Sequence, residues 1–423
     1  MNRYLFLFLS VLLIHTTFAE EDQFEGKQED TDMDALRKWI REKRLVTVKE
    51  LGGDLSISGE TRVEFQNFNE IKNGIKQRGE GSATDKANHA FDVEVNLMMD
   101  YHSERGWSSI KIEFDNDMGV ISGTTYKLQL ERAYLGGRMI DGETFNLDGE
   151  LGRRYLGNVF ESKIQYSALF DGGLLKFNKA FESIGNFYFN IGAFVVNDFF
   201  DHFGEVAELG MLKIADTGVF VKYSVINWKR HYSDPVTNRR FNFLNSQLLL
   251  GYQSSDVNWY RYYKFYIAGE TNHLAKRLVL AKTVIDPFHP EDKFIKYNQR
   301  YNLAWYVGVS LGRILKANDW AIDLSYQYVM PQAVPDYDSG GIKRGNAENF
   351  GLYTENIKGT GDPTTIENAV GNENYKGFNL EVLYAITNNL TLFQSFQISK
   401  NQTKKVGPRM EYKMYEMEFI YAF

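Results

Sequence analysis

Charged residues recur at every second position early in the chain: Glu60, Arg62 and Glu64, then Asp92 and Glu94, then Lys111, Glu113 and Asp115. A spacing of two places such side chains on one face of an extended strand. The chemistry open to that arrangement is electrostatic. A row of fixed charge that water can reach attracts counter-ions, repels co-ions and orients dipoles. Covalent chemistry has little to start from. The chain has no cysteine, which removes a thiol nucleophile, Cys-ligated zinc, a disulfide scaffold and the acylated N-terminal Cys of a lipoprotein. His89, His102, His202, His231, His273 and His289 never place two imidazoles on one strand face at metal-ligand spacing. No catalytic residue, metal or cofactor is assigned. A second charged group lies in and beside the segment 154–172: Arg153, Arg154, Glu161, Lys163 and Asp171. Opposed across a narrow opening, these groups would set a transverse field. On an ordinary surface loop the same arginines would hold anionic outer-leaflet lipid.

The elements that must position these charges are strands. Phe91, Val93, Val95, Leu97, Met99 and Tyr101 alternate with Asp92, Glu94, Asn96, Met98 and Asp100. The same period of two runs through Tyr301 to Gly312 and Trp320 to Met330. Such segments exceed the usual soluble strand of about 5 or 6 residues and match the 9 to 11 that a tilted strand needs to cross a bilayer. Sixteen are read: 54–66, 90–102, 107–116, 124–137, 143–153, 173–179, 185–197, 205–214, 217–227, 241–253, 259–271, 301–312, 319–330, 375–386, 390–399 and 411–423. Every second connection is short, and long ones such as 67–89, 154–172, 272–300 and 331–374 lie between them. Short turns on one side and long loops on the other describe a transmembrane antiparallel β-barrel of 16 to 18 strands. The segment 272–300 has room for one further hairpin around Leu278-Val279-Leu280.

Composition agrees. The 423 residues include 15% aromatics but only 7 prolines, and the mean hydropathy is -0.39. The rings therefore do not belong to a generally apolar chain. A net charge of -7 leaves no basic footprint for nucleic acid. Residues 1–19 read as an export signal: Asn2 and Arg3, an apolar stretch from Tyr4 to Ile14, and small residues around Ala19. Residues 20–53 form a separate periplasmic segment in which Asp32 caps a short amphipathic helix from Met33 to about Lys43, and 54–423 form the barrel.

Parity places Glu60, Glu64, Asp92, Glu94, Asp100, Glu113, Asp115, Asp148, Glu150, Asp323, Glu381, Glu416 and Glu418 inward, against fewer inward cations, among them Arg62, Lys111, Lys127, Lys222 and Lys264. An acidic lining would favour cations; the same charges would also tie neighbouring strands together.

The last strand ends Phe419, Tyr421, Phe423, alternating apolar residues that close on a C-terminal phenylalanine. In this it resembles the terminal targeting strand of Gram-negative outer-membrane porins. Leu151-Gly152-Arg153 followed by Phe170-Asp171-Gly172 is similar to a pattern of the porin and alginate-export type barrels. The resemblance implies a water-filled channel for passive diffusion of ions and small hydrophilic solutes, with no enzymatic activity. It implies contact with outer-membrane lipid and lipopolysaccharide, insertion by the barrel-assembly machinery, and a homotrimer as a candidate assembly. The alternative from another class is a structural or adhesive barrel that acts through its long loops.

Overall fold

Alternation over ten or more residues cannot be satisfied in a small soluble sheet, and the chain resolves it by closing on itself. The computed structural model describes residues 46–50, 53–84, 86–119, 127–198, 202–228, 243–254, 262–275, 278–279, 298–335, 338–342, 356–357, 368–369, 373–403 and 409–423. The helix read over 33–43 and the export signal lie outside them. Sixteen strands form one closed antiparallel barrel. They are β1 Gly53–Lys72, β2 His89–His102, β3 Gly106–Asp117, β4 Lys127–Asp141, β5 Phe145–Tyr155, β6 Leu169–Phe181, β7 Gly185–Asn197 and β8 His202–Leu212. The second half comprises β9 Val219–Trp228, β10 Leu244–Ser254, β11 Tyr263–Asn272, β12 Leu303–Gly312, β13 Trp320–Val329, β14 Tyr375–Ala385, β15 Leu390–Lys400 and β16 Met410–Ala422.

Each strand pairs with its sequence neighbours, and β1 closes the ring on β16 from Glu60↔Ala422 to Lys72↔Met410. Closure leaves no free edge along that seam, which is the condition for backbone to lie in hydrocarbon. Just past it, Gly59 and Phe423 exchange two backbone hydrogen bonds of 2.9 Å. The Phe423 ring lies over Gly59, where a Cβ would come within 2.5 Å of it. Beyond the C-terminus the edge of β1 is covered by Val46–Glu50, which pairs antiparallel with 53–57. This hairpin lies ahead of residue 54, where the alternation of the sequence starts the barrel. The extra hairpin allowed for in 272–300 amounts to Leu278–Val279 against Asn298–Gln299, outside the barrel sheet.

The outward parity is apolar and uncovered. Leu128 is 73% exposed and Leu151 61%, and Phe91, Leu97, Phe265, Ile267 and Trp305 share that face. At roughly 25 cal/mol per Å² such a belt is far too costly to leave in water, and lipid is the phase that accepts it. Trp305, Tyr326, Tyr328 and Phe378 pack ring against ring on this surface, toward the end that carries the long connections. Tyr301, at the head of the alternating segment 301–312, is buried, and its carbonyl accepts from the Gln332 N–H at 2.7 Å.

The connections sort by side. One end has 103–105, 142–144, 182–184, 213–218, 255–262, 313–319 and 386–389; the other has 73–88, 118–126, 156–168, 198–201, 229–243, 273–302, 330–374 and 401–409.

Candidate functional site: an inward loop across the lumen

The connection 156–168 leaves β5, makes one 3-10 turn at Leu156–Asn158 and then crosses the lumen. Apolar residues drive it inward. Leu156, Val159, Phe160 and Tyr166 pack with Phe170, Phe194, Ile226 and Trp228, and Ile164 packs with Phe220, Tyr266 and Tyr306. The Ser162 hydroxyl accepts the N–H groups of Ile164 and Gln165 at 3.2 and 3.1 Å, which turns the chain between the two contacts. Tyr166 adopts φ 71° as the loop returns toward β6.

At the tip, two charges of opposite sign meet the far wall. The Glu161 carboxylate accepts from Lys222 of β9 at 2.6 Å and Lys264 of β11 at 2.8 Å, and Gln247 of β10 donates to its carbonyl at 2.7 Å. Burial alone would push the Glu161 carboxyl up; the two ammonium groups outweigh it and hold it well below the usual carboxylate range. Two residues on, the Lys163 ammonium lies 3.0 Å from Asp323 of β13. Asp323 is further held by the Tyr266 hydroxyl, which donates at 3.0 Å, and by Ser310, which donates at 2.6 Å. Tyr266 reaches across β12 because that strand has glycine beneath it: a Cβ on Gly308 would lie 2.3 Å from the Tyr266 hydroxyl. Glu381 of β14 is the register partner of Asp323. Sequence parity placed Asp323 and Glu381 inward, but nothing in it indicated Tyr266 and Ser310 as their companions.

The first part of the connection 330–374 folds inward as well and stacks on 156–168. Gly340 N–H donates to the Ile164 carbonyl at 3.1 Å, Ala168 N–H donates to the Asp338 carboxyl at 3.0 Å and the Ser167 hydroxyl donates to the Ser339 carbonyl at 2.8 Å. Asn245 and Asn272 hold the carbonyls of Ala333 and Gln332 from β10 and β11. Burial pushes the Asp338 carboxyl up to about 7 although backbone N–H groups favour its charged form.

These two loops cover the lumen face of the later strands, where inward residues of β8, β9, β11 and β13 are buried. On the β1–β3 wall the inward Glu64, Gln66, Asp92, Glu94 and Asp115 keep part of their surface, while Glu60, Arg62, Asn96 and Glu113 are buried. Arg62, Glu64, Gln66, Asp92, Glu94 and Asp115 line one recess there. Arg62 bridges three strands: it pairs with Glu60, lies 3.3 Å from Glu418 and 3.7 Å from Glu94. Lys111 pairs with Glu113 at 3.4 Å and with Glu131, and Lys127 lies 3.8 Å from Asp115. Both roles read from parity, lining the lumen and tying strands, therefore fall on the same residues.

The five residues grouped around 154–172 do not share one surface. Arg154 faces the lumen, pairs with Glu150, donates to the Asn158 carbonyl at 3.3 Å and lies over the Tyr134 ring. Arg153 and Asp171 lie on the outward parity with Leu151, Leu169 and Leu175, in a two-pronged ion pair of 2.7 and 2.8 Å. Their side chains are 38% and 40% exposed, at the barrel end with the long connections. Alternation is the reason: a strand that turns Asp148 and Glu150 inward turns Arg153 outward. Phe419, Tyr421 and Phe423 also face outward, along the closing strand.

No protein-family model matches the chain, and no curated protein matches it. Several solved structures are similar. The outer membrane channel DcaP of Acinetobacter baumannii is 11% identical, covers 89% of this chain and 99% of its own, with a TM-score of 0.46. OmpF of Salmonella typhi, in a complex with daunomycin, is 11% identical over 89% of this chain and 100% of its own, with a TM-score of 0.48. A low-pH structure of OprB from Pseudomonas putida is 12% identical over 96% of this chain and 100% of its own, with a TM-score of 0.42.

Proposed function

We propose that the barrel is an outer-membrane channel through which ions and small hydrophilic solutes diffuse passively. The observation that carries this reading is the recess of Arg62, Glu64, Gln66, Asp92, Glu94 and Asp115, a row of ionic groups on the inner wall that ion pairs and water together keep charged. Outside, the apolar belt suits lipid on all sides. In this reading the long connections face the cell exterior, and the Arg153–Asp171 pair lies at the level of lipid and lipopolysaccharide headgroups. The tip Glu161–Lys163, with Arg154 at its base, narrows the opening. Diffusion through such an opening makes and breaks no covalent bond and needs no cofactor. The remaining roles read from sequence belong to the same proposal: 1–19 as a removable export signal, 20–53 as a periplasmic segment that ends in the Val46–Glu50 hairpin, Phe419, Tyr421 and Phe423 as the signal for the barrel-assembly machinery, and a homotrimer as the assembly.

A second reading is a structural barrel whose lumen the loops close, and the apolar clusters around Phe160, Ile164 and Tyr306 favour it. Planar-bilayer recording separates the two. Discrete, ohmic conductance steps support the channel; folded protein that inserts without current supports the closed barrel and ends the channel reading.

A further inference from the structure

Lys163 is tethered, yet it is bound as a ligand would be. Its ammonium, 20% exposed as a side chain, sits against the Asp323 carboxylate at 3.0 Å and 5.6 Å from the centre of the Tyr266 ring. Asp323 is 3% exposed and already carries hydrogen bonds from Tyr266 and Ser310. Glu381 lies beside it across the β13–β14 register and receives Asn379 at 2.9 Å; unlike Asp323, it keeps exposure toward the lumen. Two carboxylates, one of them oriented by the Tyr266 and Ser310 hydroxyls, and an aromatic face form a receptor for a primary ammonium group, and a cation of that kind is seated in it.

We propose that Asp323, Glu381 and Tyr266 form an ammonium-binding site on the conduction path, which solutes bearing a primary amine occupy by exchange with Lys163. The assignment rests on the channel reading for its role in transport, but not for its binding chemistry. The wall has little left to desolvate, because the Asp323 carboxylate is buried and hydrogen-bonded before any solute arrives. What opposes a free amine is the lysine itself, at the effective concentration of a short tether, on the order of millimolar. That competition keeps occupancy brief. A conduction site must bind well enough to admit a solute and weakly enough to release it, and Lys163 supplies the second half by displacing the guest from within the chain. Exchange conserves charge at the site, with one ammonium leaving as another takes its place.

The test uses n-butylammonium, the free equivalent of the lysine side chain, titrated into full-length folded barrel in detergent and read by ligand-detected NMR. Wild-type protein should bind it only in the millimolar range set by the tether. Lys163→Met, which keeps length and removes the cation, should bind it at least about tenfold more tightly, or about 1.4 kcal/mol. Lys163→Arg should stay near wild type, and Lys163→Met combined with Glu381→Gln should lose the gain. Folding of each variant is followed by heat-modifiable gel migration. Should Lys163→Met not fold, Lys163→Gln decides, since it also removes the competing cation: tighter binding than wild type supports the site and unchanged binding overturns it. Equal affinity in wild type and a folded Lys163→Met also overturns it. Tight binding in a barrel that conducts no current would keep the site and remove the channel.

Discussion

Lys163, on a loop that starts at β5, and Asp323, on β13, meet at 3.0 Å across the barrel lumen. With Glu161 two residues earlier held by Lys222 and Lys264, the loop tip is fixed by charges of both signs. The Lys163–Asp323 contact is the weaker of the two, since it sets one lysine against one carboxylate. Burial changes the balance at Glu161, where three charges meet with side chains only 12%, 4% and 8% exposed.

Removing Glu161 should therefore cost more than an ordinary lumen charge. Glu161→Gln leaves two buried ammonium groups without their carboxylate, a loss of about 3 to 5 kcal/mol for a broken buried pair. The expected outcome is a detached loop: larger single-channel conductance and more open-channel noise, with a lower unfolding temperature. Converting Lys222 and Lys264 to Met together with Glu161→Gln should restore much of the stability. If Glu161→Gln alone matches wild type in both noise and unfolding temperature, the loop is held by its apolar contacts and not by the triad.

The joint between the two inward loops should depend on pH. The Asp338 carboxyl is pushed up to about 7 from 3.8 by burial, with Tyr166 and Glu270 of β11 as electrostatic neighbours. A carboxyl raised on docking takes up a proton as the loop docks, so its contribution is complete below about pH 4 and is lost as pH rises through 7. Limited proteolysis of the 330–374 connection should accelerate between pH 5 and pH 8, and Asp338→Asn should flatten that profile. A wild-type profile equally flat would show that this carboxyl does not govern docking.

The sorting of connections has a direct consequence. A peptide tag inserted in 343–372 should be reached by antibody on intact cells, while one in the turn 313–319 should be reached only after permeabilisation. Equal labelling of the two would reverse or abolish the assigned orientation.

Much of this fold is legible in the sequence because a strand period of two is a strong signal when it persists over ten residues or more. β7 was read with its observed bounds, Gly185–Asn197, and β2 and β3 within a residue at each end. Parity also put Asp323, Glu381 and the Arg62 cluster on the inner wall. What parity cannot supply is contact between residues far apart in sequence. Asp338 and Ala168 are 170 residues apart, and the Ala333, Val334 and Ile342 that bury the second loop have no period of their own. Val46–Glu50 was missed because five residues are too few to stand out from a charged linker. The misplacement of Arg153 and Asp171 is different in kind: the alternation that turns Asp148 inward already turned Arg153 outward, but the grouping by nearness in sequence ignored it.

Closure at the seam is open to test through Phe423. Deleting it removes the two hydrogen bonds to Gly59 and the ring that covers it, so the yield of heat-modifiable barrel should fall several-fold. Gly59→Leu should lower it too, by forcing the Phe423 ring away. Normal yield in both would mean that the seam closes without the terminal residue.

The most direct measurement is the reversal potential in a salt gradient, taken on wild type and on a variant combining Glu64→Gln, Asp92→Asn, Glu94→Gln and Asp115→Asn. These residues line the recess with Arg62, and their field reaches about 8 Å at physiological ionic strength. With the lumen narrowed by the loop tip, neutralising them should shift the reversal potential toward anions, most strongly at low salt, whereas replacing the outward pair Arg153 and Asp171 by Ala should leave it unchanged. A reversal potential that ignores the four acidic substitutions, or that follows the outward pair instead, would contradict a conduction path along the β1–β3 wall.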